Sequence, residues 1–369
     1  MNIVSLFSGI GGLDLGFISH NIEYFVESDK AAQEVLRARF PGVKIKDDVR
    51  NLKRISNSAD ILLAGFPCQD VSSVGPKTSL NGNRTTLIDG VVDLLRKDRI
   101  PYLVLENVPF ILHLRGGELL QKLLSSLEDL GYNWAYRIIS SHSFLPQRRR
   151  RFILVATQNG DAKRILFRKP KKLQVLPPIS LDDAIGFYWT EGMFATGLSA
   201  NSIPALKPGS TIGIPSPPAI RLPNGFFGTP DLRDAERLQG FPHDWTRPAE
   251  KVTRNTVRWR LVGNAVAVPI AKWIATGISQ PTPVFDEATF RMPTSFPKAA
   301  FGSREGRMEV LCDEYVDGKT SGLTTFLKYE LKPLSARATS GFLLRATRGG
   351  MRFPDGFIDS LTTHLNTVA

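Results

Sequence analysis

The chain has only two cysteines among 369 residues, Cys68 and Cys312, far apart and without metal-ligand spacing. That scarcity argues against a disulfide framework and against a thiolate zinc site, and a reducing compartment is the expected home. Missing too is any apolar run of about 18 residues, the length a membrane-crossing helix needs, and no internal repeat or low-complexity tract is present. The N-terminus is apolar, but it carries Asp14 and several glycines with no basic stretch ahead of them, so it does not read as a signal peptide. Acidic residues are outnumbered: 35 Asp and Glu against 47 Lys and Arg leave a formal net charge of +12. Such an excess favours a polyanionic partner, since cations release condensed counterions as they neutralise phosphates. A merely basic surface is the competing reading.

What is present is a pattern of alternating short apolar runs and amphipathic stretches over residues 1–158. Strands are expected at 3–7, 22–27, 61–64, 102–106, 134–140 and 152–156, with helices over 30–40 and 117–130. This alternation predicts an α/β fold with a doubly wound, mostly parallel sheet. From 159 to 228 the texture changes to a basic cluster followed by the Pro/Gly/Ser-rich stretch GSTIGIPSPPAIRLPNG, which predicts a small loop-rich unit. Regular patterning returns at 231–238 and 252–276. A second Pro-rich stretch, 280–297, reads as a linker, and the tail beyond about 300 carries one strand-like run and a helix over 334–348.

The first strand runs into FSGIGGLDLGF, where Gly9, Gly11 and Gly12 let a backbone approach a ligand closely. A dinucleotide site or a plain tight turn would explain these glycines equally well. Glu27, at the end of the second strand, stands where doubly wound folds place an acid on ribose hydroxyls, with a solvated strand end as the alternative. Asp48 follows a third short run, where a carboxylate could accept from an adenine amino group.

Two further segments follow strands: GFPCQDVS after 61–64 and ENVP after 102–106. Parallel strands release their following segments at one sheet edge, so Cys68 and Glu106 are expected to face one crevice. A free cysteine is usually core filler, but one in a Pro-flanked loop at a strand's C-terminal end is poorly placed for that. In LPQRRRRFILVA, four arginines enter a strand, and alternation sends Arg149 and Arg151 to one side. For Arg148 and Arg150 a solvated or phosphate-facing role is preferred.

Taken in order, FSGIGG, Glu27, GFPCQDVS, ENVP, PQRRRR, RDAERLQGFP and GNAV resemble the DNA (cytosine-5) methyltransferases of bacterial and phage modification systems, over roughly residues 1–276. The resemblance implies the class I S-adenosylmethionine-dependent fold, with a catalytic domain of 1–158 plus 255–279 and a target-recognition domain of 159–254. A linker of 280–299 and a C-terminal extension of 300–369 complete the expected layout. It implies Cys68 as the nucleophile, Glu106 as the acid at ring nitrogen N3, and Arg151 with Arg149 and Gln147 at the base carbonyl and catalytic loop. Phe7, Ser8, Gly9, Gly11, Gly12, Glu27, Asp48, Asn264 and Val266 would hold S-adenosylmethionine, with no metal. Pro67, Gln69, Ser72, Arg84 and Asn107 would join Gln147 on the substrate side. Double-stranded DNA is the implied partner, with a restriction endonuclease acting separately; a monomeric protein of the bacterial cytoplasm and nucleoid is expected.

Two departures stand out. Ser28 occupies a position where the family often has a bulky aromatic, and the family's shared motifs do not explain the last ninety or so residues. Three other readings compete, one of them a non-catalytic DNA-binding or regulatory paralogue, which would be expected to lose the Cys or the Glu that this chain keeps. An RNA (tRNA) cytosine methyltransferase would share the catalytic motifs, yet it is expected to carry a Cys-Phe-Thr element that this chain lacks. A nicotinamide dehydrogenase would explain Gly9–Gly12 and Glu27 but nothing at Cys68 or Glu106.

Overall fold

The structure is a computed structural model, described here for residues 1–66, 87–168, 178–191, 197–209, 214–282 and 288–369. Pro67, Cys68, Gln69, Ser72 and Arg84 lie outside the described residues. The chain divides into two compact units. The first comprises Met1–Ser140, Arg150–Lys172 and Val266–Asp317; the second comprises Ser141–Arg149, Leu173–Ala265 and Gly318–Ala369.

The first unit is built on β1 (Asn2–Leu6), β2 (Asn21–Val26), β3 (Lys44–Lys46), β4 (Ile61–Gly65), β5 (Tyr102–Asn107), β6 (Asn133–Ser140) and β8 (Arg150–Thr157). Three later strands, β14 (Thr289–Arg291), β15 (Ala299–Ser303) and β16 (Gly306–Val310), join the same sheet, whose order is β14-β16-β15-β6-β8-β5-β4-β1-β2-β3. Strands β3, β2, β1, β4 and β5 are parallel neighbours, whereas β8 runs antiparallel between β5 and β6. The apolar runs IVSL and ILLA are buried along their whole length, as strands covered on both faces must be. The covering helices are α1 (Gly12–Gly16), α2 (Lys30–Arg39), α3 (Leu87–Asp98), α4 (Glu118–Asp129), α5 (Ala162–Leu166) and α8 (Val268–Ser279). Asp29 starts α2 by accepting the Ala31 N–H at 2.8 Å. Gly16 allows α1 to lie against α8, because a Cβ there would meet the Ala271 Cβ at 2.2 Å.

The second unit carries β7 (Gln147–Arg148), β9 (Ile185–Phe187), β10 (Ser199–Ala200), β11 (Ile203–Pro204), β12 (Ala219–Arg221), β13 (Phe227–Thr229) and β17 (Lys332–Pro333). Five of them form an antiparallel sheet in the order β10-β9-β12-β13-β17, and β7 pairs with β11. Its helices are α6 (Leu232–Leu238), α7 (Val257–Asn264), α9 (Leu323–Phe326), α10 (Ala336–Arg348) and α11 (Phe357–Val368). Phe342 of α10 and Phe357 of α11 reach the sheet residue Phe187, with ring centroids 5.0 and 5.5 Å away, and all three rings are fully buried.

This layout redraws the expected C-terminal boundaries. The stretch expected as a 280–299 linker contains β14 and the first residue of β15. The expected 300–369 extension is split at Asp317, its first part lengthening the large sheet and its second completing the core of the other unit. The edge strand β6 offers free ladder groups and β15 takes them, with Arg307 fastened to Glu128 at 2.7 Å. The second tail helix, α11, has no counterpart in the sequence expectation. The 257–279 stretch reaches the length and apolarity of a membrane span, yet it is broken between α7 and α8 and most of it is buried.

Asp14 sits in α1 with no exposed surface, and neither carboxylate oxygen has a hydrogen bond of normal geometry among the described residues. Burial pushes its pKa up to about 7, opposed only in part by the nearby Ser5 hydroxyl. The folded state therefore binds a proton that the unfolded state releases above about pH 4, so stability falls as pH rises from about 4 to 7. Asp14→Asn should remove that fall, raising stability at pH 8 by on the order of 3 kcal/mol and leaving it nearly unchanged at pH 4. Denaturant unfolding of both proteins across this range checks the sign; an Asn variant destabilised equally at both pH values would contradict it.

Candidate active site

The turn from β1 into α1 is strained in the way a close backbone approach requires. Phe7, Gly9 and Gly11 all have positive φ, at 56°, 56° and 80°. At Gly11 a side chain is excluded twice over, by that φ and by the Phe40 ring, 2.6 Å from where a Cβ would stand. Ser8 is tied down by its hydroxyl, which donates to the Ser5 carbonyl at 3.1 Å. Glu27 closes the turn from the end of β2: its carboxylate accepts the Gly9 N–H and the Asp29 N–H, each at 2.7 Å. A carboxylate has about four acceptor sites, so these amides leave acceptor capacity for a hydroxyl donor. Burial raises the Glu27 pKa, and those amide bonds oppose the rise. Phe7 and Phe66 stack obliquely with centroids 5.2 Å apart. Asp48 is already occupied by Arg50, whose Nη2 lies at 2.6 Å, and this pairing lowers its pKa.

The acid end of the site forms where β4, β5 and β8 lie side by side. Gly65, the last residue of β4, is the register partner of Glu106, and Ile153 of β8 is its partner on the other side. Arg151 stands two residues before Ile153, on the same face of the sheet. Its Nε meets Glu106 Oε1 at 2.7 Å, with both side chains mostly buried. Asn107 is buried as well, and its Oδ1 accepts the Val108 N–H at 2.7 Å. The chain leaves β4 through the buried Phe66 and continues directly into Pro67 and Cys68, which lie outside the described residues.

Alternation predicted Arg149 beside Arg151, and here the structure corrects the sequence reading. β8 begins at Arg150, so the two-residue period does not extend back to Arg149. Arg149 belongs to the second unit, where it is 2% exposed. Its guanidinium donates to the carbonyls of Leu206 at 3.1 Å, Gly263 at 3.1 Å and Ala265 at 2.9 Å. Gln147 is equally enclosed: its Nε2 donates to the Leu238 carbonyl at 2.6 Å and its Oε1 accepts the Leu206 N–H at 3.0 Å. Both side chains tie the GNAV and RLQ segments together within that unit. Asn264 is exposed at the end of α7 in the second unit, and Val266 opens the next segment of the first.

The sequence reading missed two buried carboxylates of the RDAERLQ helix. Glu236 accepts the Trp245 and Thr246 N–H groups at 3.1 and 2.8 Å and pairs with the buried Arg258 at 3.1 Å. Asp234 accepts the N–H groups of Lys328 and Tyr329 at 3.1 and 2.9 Å. Helical spacing signalled a shared face for the two acids no better than for any i, i+2 pair, so no pattern pointed to them.

The sequence pattern of the family described as C-5 cytosine-specific DNA methylase matches residues 1–187 and 231–280. Type II methyltransferase M2.BsuMI of Bacillus subtilis (strain 168) is 42% identical, the alignment covering 98% of this chain and 97% of that protein. Type II methyltransferase M.MspI of a Moraxella species is 30% identical, covering 75% of this chain and 70% of that one. The crystal structure of the S. pombe Dnmt2 methyltransferase superposes with a TM-score of 0.51 at 18% identity, covering 76% of this chain and 97% of that one. A putative DNA modification methyltransferase from an E. coli prophage gives the same score and identity, covering 76% and 99%. At such identities the two structures speak for the fold alone.

The enclosure of Arg149 has a measurable consequence. Arg149→Met keeps the side-chain length but strips three buried carbonyls of their donor, and should cost on the order of 3 kcal/mol. Denaturant midpoints and kcat should be measured together. A variant of unchanged stability with a collapsed kcat would place Arg149 at the reacting base instead.

Proposed function

The chain belongs to the C-5 cytosine-specific DNA methylase family, and from that membership we propose how its residues divide the work of methylating carbon 5 of cytosine in duplex DNA. Carbon 5 is too weak a nucleophile to take a methyl group directly. The Cys68 thiolate adds to carbon 6, and the electron pair of the 5,6 double bond moves into the ring toward N3. Glu106 protonates N3 as that charge arrives, leaving carbon 5 enamine-like. After methylation, loss of the carbon 5 proton expels the thiolate from carbon 6 and N3 returns its proton, so the catalyst is restored. Arg151 holds the Glu106 carboxyl in place through the 2.7 Å contact. That buried pair, one strand away from the residue that leads into Pro67 and Cys68, is the observation that carries the reading.

S-adenosylmethionine, on which the family depends, supplies an electrophilic methyl group when bound. Glu27 has acceptor sites left for its ribose hydroxyls, and the backbone of Phe7, Ser8, Gly9, Gly11 and Gly12 borders the same turn. Asp48, Asn264 and Val266 complete the proposed set, Asp48 with the acceptor capacity that Arg50 leaves. Pro67, Gln69, Ser72, Arg84 and Asn107 serve the base. A stacked base is out of reach of all these groups, so the target cytosine is flipped out of the duplex.

The second unit reads the DNA sequence, with Gln147 and Arg149 as its internal ties. The Type II names of the relatives support a modification role alongside a separately acting restriction endonuclease, performed by a monomer in the bacterial cytoplasm without a metal. An RNA substrate is disfavoured by the missing Cys-Phe-Thr element and by the DNA methylase relatives.

Sequencing 5-methylcytosine in host DNA tests the proposal. Expression of the chain should mark one short sequence throughout the genome, and Glu106→Gln should cut the methylation rate by about 10²–10⁴-fold. Full methylation by the Gln variant would remove Glu106 from the chemistry.

A further inference from the structure

The family pattern leaves two stretches of the chain unmatched, 188–230 and 281–369, and the structure packs the end of the second, 318–369, with the first. β12 and β13 come from the first stretch, and β17, α10 and α11 from the second. β13 pairs with β17 through Gly228 and Pro333, and Phe227 meets Phe357 with centroids 5.6 Å apart. Helix α6 of the matched region anchors the same segment. Asp234 accepts two of its N–H groups, and the Arg233 guanidinium lies 3.7 Å from the centre of the Tyr329 ring. Residues 318–369 are therefore part of the unit that carries the unmatched stretch 188–230, rather than an appendage to it.

Helix α10 turns Phe342 and Ala346 into that core and leaves Arg337, Ser340, Leu344, Thr347 and Arg348 exposed on the other side. Eleven residues separate Arg337 from Arg348, three helical turns, which sets them on one face roughly 16 Å apart. Arg352 follows, exposed, after Gly349 and Gly350. None of these three arginines has an ion-pair partner among the described residues. Arg345, by contrast, is spent on the carbonyls of Trp189 and Glu191, and Arg221, Arg233, Arg237 and Arg258 are likewise engaged within the unit. The segment 318–369 holds seven Lys and Arg against three Asp and Glu.

We propose that the outward face of α10, through Arg337 and Arg348 with Arg352 beyond its end, contacts the phosphate backbone of the DNA that the second unit reads. Phosphate contacts of this kind fix a protein's register on the duplex without reading bases. Unpaired guanidiniums on a rigid, core-anchored helix suit that task, because no ion pair must be broken first.

The inference rests on the reading of the chain as a DNA methyltransferase, and its test separates the two. Binding of the full-length protein to unmethylated duplex DNA is measured against salt for three proteins, with methylation of the same DNA assayed in parallel. One is wild type, the second is R337A/R348A/R352A, and the third is the charge-matched control R96A/K97A/K122A. The α10 variant should lower the slope of log K against log salt by about 0.9 for each phosphate that is no longer neutralised. The control should leave it unchanged, and both variants should keep the wild-type unfolding midpoint. An unchanged slope in the α10 variant overturns the proposal, and so does an equal fall in both variants, which would reflect net charge alone. Absence of methylation by the wild type would defeat the methyltransferase reading instead.

Discussion

Glu106 and Arg151 meet at 2.7 Å with little exposure to water, and much of the architecture around them is what such a meeting demands. Two buried charges lose several kcal/mol of hydration each, and only close, well-oriented pairing offsets that loss. Close pairing needs β5 and β8 as neighbours in a fixed register, and their antiparallel ladder from Tyr102↔Thr157 to Asn107↔Phe152 supplies it. β8 is in turn held from its far side by β6, which β15 braces, and by its own Arg150, which pairs with Glu314 at 2.7 Å. The added strands thus support the strand next to the proposed catalytic carboxylate, Glu106.

The second unit is organised by buried charges as well, used differently. Glu236 and Asp234 are both fully buried, yet each carboxylate is surrounded by donors. Arg258 answers Glu236 and also pairs with Glu250 at 2.7 Å. Backbone N–H groups of Lys328 and Tyr329 answer Asp234. These are structural ties for a loop-rich unit whose strands are only two or three residues long and supply few ladder bonds of their own. Gln147 and Arg149, close in sequence to Arg151, are used in the same way and donate to buried carbonyls.

The sheet was legible in the sequence because strands buried on both faces write continuous apolar runs, and 3–7, 61–64 and 102–106 each lie within a residue of the observed strands. Glu27 and Glu106 were legible for a related reason: strand ends in a parallel sheet share an edge. Arg149 was misplaced because alternation holds only inside a strand, and β8 starts one residue later. The role of the tail was hidden because its meaning is tertiary. A two-residue strand such as β17 has no pattern of its own, and Phe342 or Phe357 says nothing of which sheet it will cover. Asp14 was visible as a residue but not as a buried one, since its helix is covered by α8, some 250 positions away in sequence and brought close by Gly16.

Covalent capture on DNA carrying 5-fluorocytosine at the target site tests most directly the proposal that Cys68 attacks the base. Addition and methyl transfer proceed on that base, but fluorine cannot leave carbon 5 as a proton does, so the thiolate stays bound. With S-adenosylmethionine present, a protein–DNA band resistant to denaturation is predicted for the wild type and for Cys312→Ser. Cys68→Ser should give none. Capture that persists in Cys68→Ser, or disappears in Cys312→Ser, would contradict the mechanism.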